Sequence, residues 1–169
     1  MPSKPDKYGI KIWVCNDAEN AYCLAFQVYT GRPFGEQPER NQGQRVVLEL
    51  TTELLQGVNV TTDNFFTSVP LAIALLNRRN PMTLVGTLRK NKPDIPRELL
   101  EKQGREAHTS RFGFDKKMTI VSYIPKARRN VILISSQHHN AEIYGQATDY
   151  KPEIYYSKIL LKVEWICSI

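Results

Sequence analysis

Apolar and polar positions alternate from Gly9 to Cys15, with Ile10-Lys11-Ile12-Trp13-Val14 at the centre, which predicts a strand. Asn16-Asp17-Ala18-Glu19-Asn20 reads as a turn, and Ala21 to Tyr29 as the antiparallel partner, with Tyr22, Leu24, Phe26 and Val28 on one face. Thr30 to Gln42 carries Gly31, Pro33, Gly35 and Pro38, with Gly43 following, and reads as loop. From Arg45 to Gln56 the period changes. Val46, Val47, Leu50, Leu54 and Leu55 recur at helical spacing, and Gly57 is placed to terminate that helix. A β-leaning run, Val58-Asn59-Val60-Thr61-Thr62, is followed by a helix from Val69 to Arg79, closed by Asn80-Pro81. Met82 to Leu88 is a strand, Pro96 to Gln103 a short helix, and Met118–Ile124 with Val131–Ser135 a hairpin.

The most informative stretch is Thr61-Thr62-Asp63-Asn64-Phe65-Phe66-Thr67-Ser68-Val69-Pro70. A strand ends there on a carboxylate, two aromatics follow, Ser68 is placed as an N-cap, and Pro70 falls in the first helical turn. Carboxylates at the C-terminal tips of strands in α/β sheets are common sites of chemistry, and hard divalent cations want oxygen ligands. The alternative is that Asp63 only shapes the strand-to-helix turn; spacing leaves both readings open.

With 169 residues, 41% hydrophobic and 24% charged, the chain has the length and composition of one globular domain with a core. Its net charge of +6 suits a polyanionic partner. Cys15, Cys23 and Cys167 form no Cys-x-x-Cys pair and read as reduced intracellular thiols. No apolar run approaches a membrane span, and Met1-Pro2-Ser3-Lys4 opens no signal peptide. Two basic groups stand out, Arg89, Lys90 and Lys92 after the fourth expected strand, and Lys126, Arg128 and Arg129 at the hairpin tip. Such groups suit DNA phosphates, although a charge run also makes an ordinary solvated face. His138-His139 lacks a third metal ligand at recognisable spacing.

Asp63-Asn64-Phe65-Phe66-Thr67-Ser68-Val69-Pro70-Leu71 resembles the second acidic motif of the piggyBac family of DDE transposases, Asp-Asn-aromatic-Phe-Thr-Ser-x-Pro-Leu. Lys4-Pro5, Lys7-Tyr8-Gly9-Ile10-Lys11, Tyr29-Thr30-Gly31, Gly86-Thr87-Leu88-Arg89-Lys90-Asn91-Lys92, Ile95-Pro96 and Tyr155-Tyr156 follow the family's order, so the resemblance spans residues 2 to about 158. It implies an α/β fold: an RNase H-like core, here incomplete in its first strand, with a β-rich insertion after about Arg89. It also implies cut-and-paste DNA transposition in the nucleus, carried out on transposon ends with Mg²⁺ or Mn²⁺ held by three carboxylates. Asp63 would be the second of these and would be both a catalytic and a metal-binding residue. A homodimer is a further partner consistent with the family.

The family's other two carboxylates have no counterparts here. The first is expected upstream of the Lys-Tyr-Gly-Ile-Lys segment, and Asp17 matches a turn acid instead. The third is expected after Tyr155-Tyr156, where the chain reads Ile159-Leu160-Leu161-Lys162-Val163-Glu164-Trp165-Ile166-Cys167-Ser168-Ile169. The codons bear on this. Taking the third base of each codon with the first two of the next, Trp165-Ile166 forces Asp, and the neighbouring pairs permit Gly-Gly-Val/Met before it. The expectation is a transposase domain over 1–158, lacking its first core strand, with an aberrant frameshifted tail over 159–169. Such a chain is expected to be catalytically inactive. The alternative function is a non-catalytic basic DNA- or protein-binding module.

Overall fold

The computed structural model describes residues 10–31, 35, 37, 39–55, 57–146, 149–160 and 167–168. The N-terminal Lys4–Gly9 motif and most of the 159–169 tail lie outside them. Strands β1 (Lys11–Asn16) and β2 (Cys23–Tyr29) form the expected antiparallel hairpin, with Trp13 opposite Gln27 and Val14 opposite Phe26. Helix α1 (Gln42–Leu50) follows, then β3 (Asn59–Thr62), α2 (Val69–Leu76) and β4 (Thr83–Leu88). β3 and β4 are parallel, as a strand–helix–strand crossover requires.

The rest of the chain comprises α3 (Arg97–Leu100), β5 (Ser110–Asp115), β6 (Met118–Lys126), β7 (Arg129–Ser135), β8 (Ile143–Tyr144), β9 (Lys151–Pro152), α4 (Glu153–Leu160) and β10 (Cys167–Ser168). The main sheet has the order β3-β4-β7-β6-β5. One face packs Leu84, Leu88, Ile132 and Ile134 against Val46, Val47 and Leu50 of α1 and Leu71, Ala72 and Leu75 of α2. The other face packs Val85, Val121 and Leu133 against Ile154 of α4. Period-2 alternation in β4 and β7 thus feeds both layers, which is why these strands read as nearly continuous apolar runs.

The region after Arg89 is β-rich, as expected, and it extends the central sheet: β7 pairs antiparallel with β4, from Val85 opposite Ser135 to Leu88 opposite Ile132. Several expectations are corrected. β5 and α4 went unrecognised in the sequence, β5 because Ser110-Arg111-Phe112-Gly113 shows little apolar alternation. α1 begins at Gln42 and includes Gly43; it stops at Leu50 rather than Gln56. The hydroxyls of Thr51 and Thr52 donate to the Val47 and Leu48 carbonyls, and the Arg78 guanidinium donates to the carbonyls of Leu48 and Thr51. Carbonyls so occupied close the helix, and Leu55 is left 81% exposed. α2 ends at Leu76 and α3 is only four residues long. The apolar face of β2 points to solvent, with Phe26 66% exposed, while Ala25 and Tyr29 turn inward.

Among the described residues β1 and β3 do not pair with each other. A cavity of about 440 Å³ lies between them, lined by Cys15, Asn16, Leu54, Asn59, Val60 and Thr61. Outside the hairpin, among the described residues, β1 pairs only at Lys11 and Ile12, with β10.

Candidate functional site

Asp63 stands one residue beyond β3, exposed at its C-terminal tip. The turn after it is built from its own backbone: the Asp63 carbonyl accepts from the Phe66 and Thr67 N–H groups, both at 3.0 Å, and from the Thr67 hydroxyl at 2.8 Å. Thr67 Oγ1 also lies 2.7 Å from Thr62 Oγ1, in a buried pair. Ser68 is extended and its hydroxyl accepts from the Leu71 N–H at 3.2 Å, capping α2 with Pro70 in the first turn. Such a cap contributes about 1 kcal/mol.

Two glycines let this turn dock. A Cβ at Gly86 of β4 would lie 2.3 Å from Thr67 Oγ1 and 2.8 Å from Thr62 Oγ1. One at Gly43 of α1 would lie 2.8 Å from the Phe65 carbonyl oxygen and 3.0 Å from the Phe66 Cα. The backbone carrying Asp63 is therefore held from two sides, while its carboxylate faces water.

Cations gather at the turn that carries Asp63. Lys158 of α4 donates to the Thr87 hydroxyl on β4, and its ammonium feels the Asp63 charge. Burial pulls the Lys158 pKa below the usual lysine range, and the Asp63 charge opposes that shift. Arg89, just past β4, donates its Nε to Asn64 Oδ1 at 3.2 Å and lies 5.5 Å from the Phe65 ring centre. The Lys11 ammonium lies 5.1 Å from the same ring.

The expected basic residues do not all gather at Asp63. Lys126, Arg128 and Arg129 are exposed on a tight hairpin in which Lys126 pairs with Arg129 and Arg128 takes a positive φ of 64°. Asn130, next to this tip, is buried, its side chain bonded to Ser122 and the Leu99 carbonyl. Lys90 meets the field of Lys102 and Arg129, so the two basic groups join along the ends of β4 and β7. Burial first, and these two cations next, hold the Lys90 pKa below the usual lysine range. Lys92 is half-buried. Arg105 is structural: it donates to Ser122 Oγ at 2.6 Å and to the carbonyls of Ser122 and Thr109.

His138 does not join His139 in a metal site. Its Nδ1 lies 2.8 Å from the Ser135 hydroxyl and its Nε2 3.0 Å from the Ser157 hydroxyl. Ser135 Oγ already accepts from the Gln137 and His138 N–H groups, so its proton goes to Nδ1, and Nε2 carries the imidazole hydrogen. Among the described residues no group of three or more His, Cys, Asp and Glu side chains could hold a metal ion. No described helix is long and apolar enough to cross a membrane. Lys158 and Lys11 were not singled out in the sequence as members of this site. Both sit in or beside quoted motifs, Lys11 closing Lys-Tyr-Gly-Ile-Lys and Lys158 following Tyr155-Tyr156, and that proximity was the available signal.

Taken together, these features define a mixed α/β domain with an acidic strand tip in a basic and aromatic surround. A family model described as Transposase IS4 matches residues 1–158. A cryo-EM structure of the piggyBac transposase synaptic complex with hairpin DNA is similar at 38% identity and a TM-score of 0.80, over 94% of this chain and 33% of that one. The chain belongs to the piggyBac-type transposases of this family. It spans about one third of the length of the piggyBac chain it matches.

Proposed function

We propose that this chain is a transposase-derived DNA-binding domain with an RNase H-like core, in which Asp63 is the remnant of a carboxylate triad and strand cleavage is lost. Residues 1–158 form the transposase unit, and 159–169 are a tail of different origin. The observation that carries the proposal is the composition of the Asp63 site. The carboxylate is exposed at a strand tip, the Lys158 ammonium meets its field, and among the described residues no group of three or more His, Cys, Asp and Glu side chains could hold a metal ion. Mg²⁺ and Mn²⁺ want several oxygen ligands, and two-metal cleavage of a phosphodiester needs both ions held in one geometry. One carboxylate with an ammonium alongside does not fit that group.

DNA binding has independent support. The net charge of +6, the exposed Lys126, Arg128 and Arg129, and the joined Lys90–Arg129 field suit phosphate contacts, which give affinity without sequence information. Arg89 and Lys92 belong to the same surface. The natural DNA would be a transposon end, encountered in the nucleus. The piggyBac structure is a complex with hairpin DNA, and this chain is proposed to keep part of that capacity.

The experiment is a nicking and joining assay on family-type terminal repeats with Mg²⁺ or Mn²⁺, run beside Asp63→Ala. The expected result is no cleavage by either protein, with DNA binding that fades as salt rises. Metal-dependent cleavage abolished by Asp63→Ala would overturn the loss of catalysis, and absence of binding at low salt would overturn the DNA-binding reading.

A further inference from the structure

We infer that Lys11 is a DNA-binding residue, holding one phosphate of a duplex together with Arg89 beside Asp63. The inference rests on the DNA-binding reading above and adds a residue and a geometry to it. Lys11 lies at the start of β1 and Arg89 just beyond β4, far apart in sequence, yet both converge on one aromatic ring. The Lys11 ammonium is 5.1 Å from the Phe65 ring centre, and the Arg89 guanidinium carbon 5.5 Å from it.

Lys11 is held in place rather than loose. Its ammonium also lies 5.0 Å from the Trp13 ring and 5.1 Å from Tyr29, and those two rings pack 5.1 Å apart. Three rings around one ammonium restrict a side chain that would otherwise sample many rotamers. Among the described residues neither cation forms an ion pair. Arg89 uses Nε on Asn64, and among the described residues the Lys11 ammonium has no hydrogen-bond partner. Two like charges fixed at one ring repel each other, and an anion between them relieves that repulsion. Asp63 pairs with neither, although it sits on the same turn as Asn64 and Phe65.

The anion that fits is a phosphodiester. Arginine presents a planar fork and lysine a point charge, and both are standard phosphate donors. An ordinary solvated lysine on a strand would reach into water; here the ring contacts aim the charge at the Asp63 turn. DNA and free inorganic phosphate share this chemistry, and the proposal commits to duplex DNA, where neighbouring basic residues add further contacts.

The test uses the full chain carrying Trp165→Phe, so that Trp13 is the sole tryptophan. Binding of a short fluorescein-labelled duplex is followed by anisotropy across a salt series, with inorganic phosphate as a separate competitor. Lys11→Gln should weaken binding several-fold and lower the slope of log K against log salt by about one, the loss of one phosphate contact. Lys11→Arg should retain most of the affinity, and Lys116→Gln, in the exposed turn after β5, should change it least. Trp13 emission should respond to duplex in the parent protein, and phosphate should compete only at concentrations where general salt does. Unchanged affinity and slope in Lys11→Gln, or an equal loss in Lys116→Gln, would overturn the Lys11 site while leaving DNA binding intact. Should Lys11→Gln fail to fold, a Trp13 emission indifferent to duplex overturns the site by itself. Phosphate competition far stronger than matched salt would identify a free-anion site instead. A parent protein that binds no DNA removes both readings.

Discussion

Gly43→Ala separates two effects of opposite sign. Within a helix, replacing glycine by alanine ordinarily stabilises by up to about 1 kcal/mol, because the unfolded chain has less freedom to lose. At Gly43 the new Cβ would lie 2.8 Å from the Phe65 carbonyl oxygen and 3.0 Å from the Phe66 Cα, against the 3.4 Å at which ordinary contact begins. Both obstacles are backbone, so no rotamer change clears them. The turn they belong to is held by three hydrogen bonds to the Asp63 carbonyl. Either α1 or the turn must therefore retreat by roughly half an ångström in a packed core, at an overpacking cost of about 1–3 kcal/mol. Gly43 is in the first helical turn, where the propensity gain is smallest, so packing should win by about 1–2 kcal/mol. The assay is urea unfolding followed by far-UV circular dichroism. The expected outcome is a lower midpoint with an unchanged slope. A midpoint that rises by the propensity increment would refute the claim that α1 rests on the Phe65–Phe66 backbone, and with it the account of how Asp63 is positioned.

Two further outcomes follow from buried titratable groups. Burial holds the His138 pKa below its ordinary value of 6.5, so on acidification the unfolded chain takes up this proton before the folded one does. The His138 contribution should be fully present above pH 6.5 and lost as pH falls through the depressed folded value. His138→Gln should flatten that limb of a stability-against-pH curve, and an unaltered difference between the two proteins across pH 5–7 would refute the neutral Ser135–His138–Ser157 bridge. The Cys15 thiol is pushed up to about 11, by burial first and by Cys23 second, whereas Cys23 is exposed. In a Cys167→Ser background a thiol reagent at mildly alkaline pH should modify Cys23 quickly and Cys15 only on unfolding; equal rates would contradict the burial of β1.

Local chemistry made the Asp63 stretch legible from sequence. Strand propensity in Asn59–Thr62, a serine with the right side chain for a cap and a proline tolerated only in the first helical turn all act within ten residues, so their order along the chain is enough. The same holds for the β1–β2 hairpin and the β6–β7 hairpin, whose partners are sequence neighbours. What needed the tertiary structure is whatever depends on contacts between distant segments. The end of α1 is decided by Arg78, which reaches the Leu48 and Thr51 carbonyls from beyond α2. The pairing of β4 with β7 joins residues about 50 apart, and no local period encodes it. Arg89 reads as a candidate for DNA phosphates and Lys11 only as part of a motif, and nothing in the sequence joins them until the fold brings both to the Phe65 ring. His138 has no assigned role in the sequence, where a third metal ligand is lacking, until Ser157, on α4, closes its second nitrogen. A sequence states which groups are available; only the folded chain fixes which of them meet, because the free energy of each such contact exists only once the intervening chain has closed.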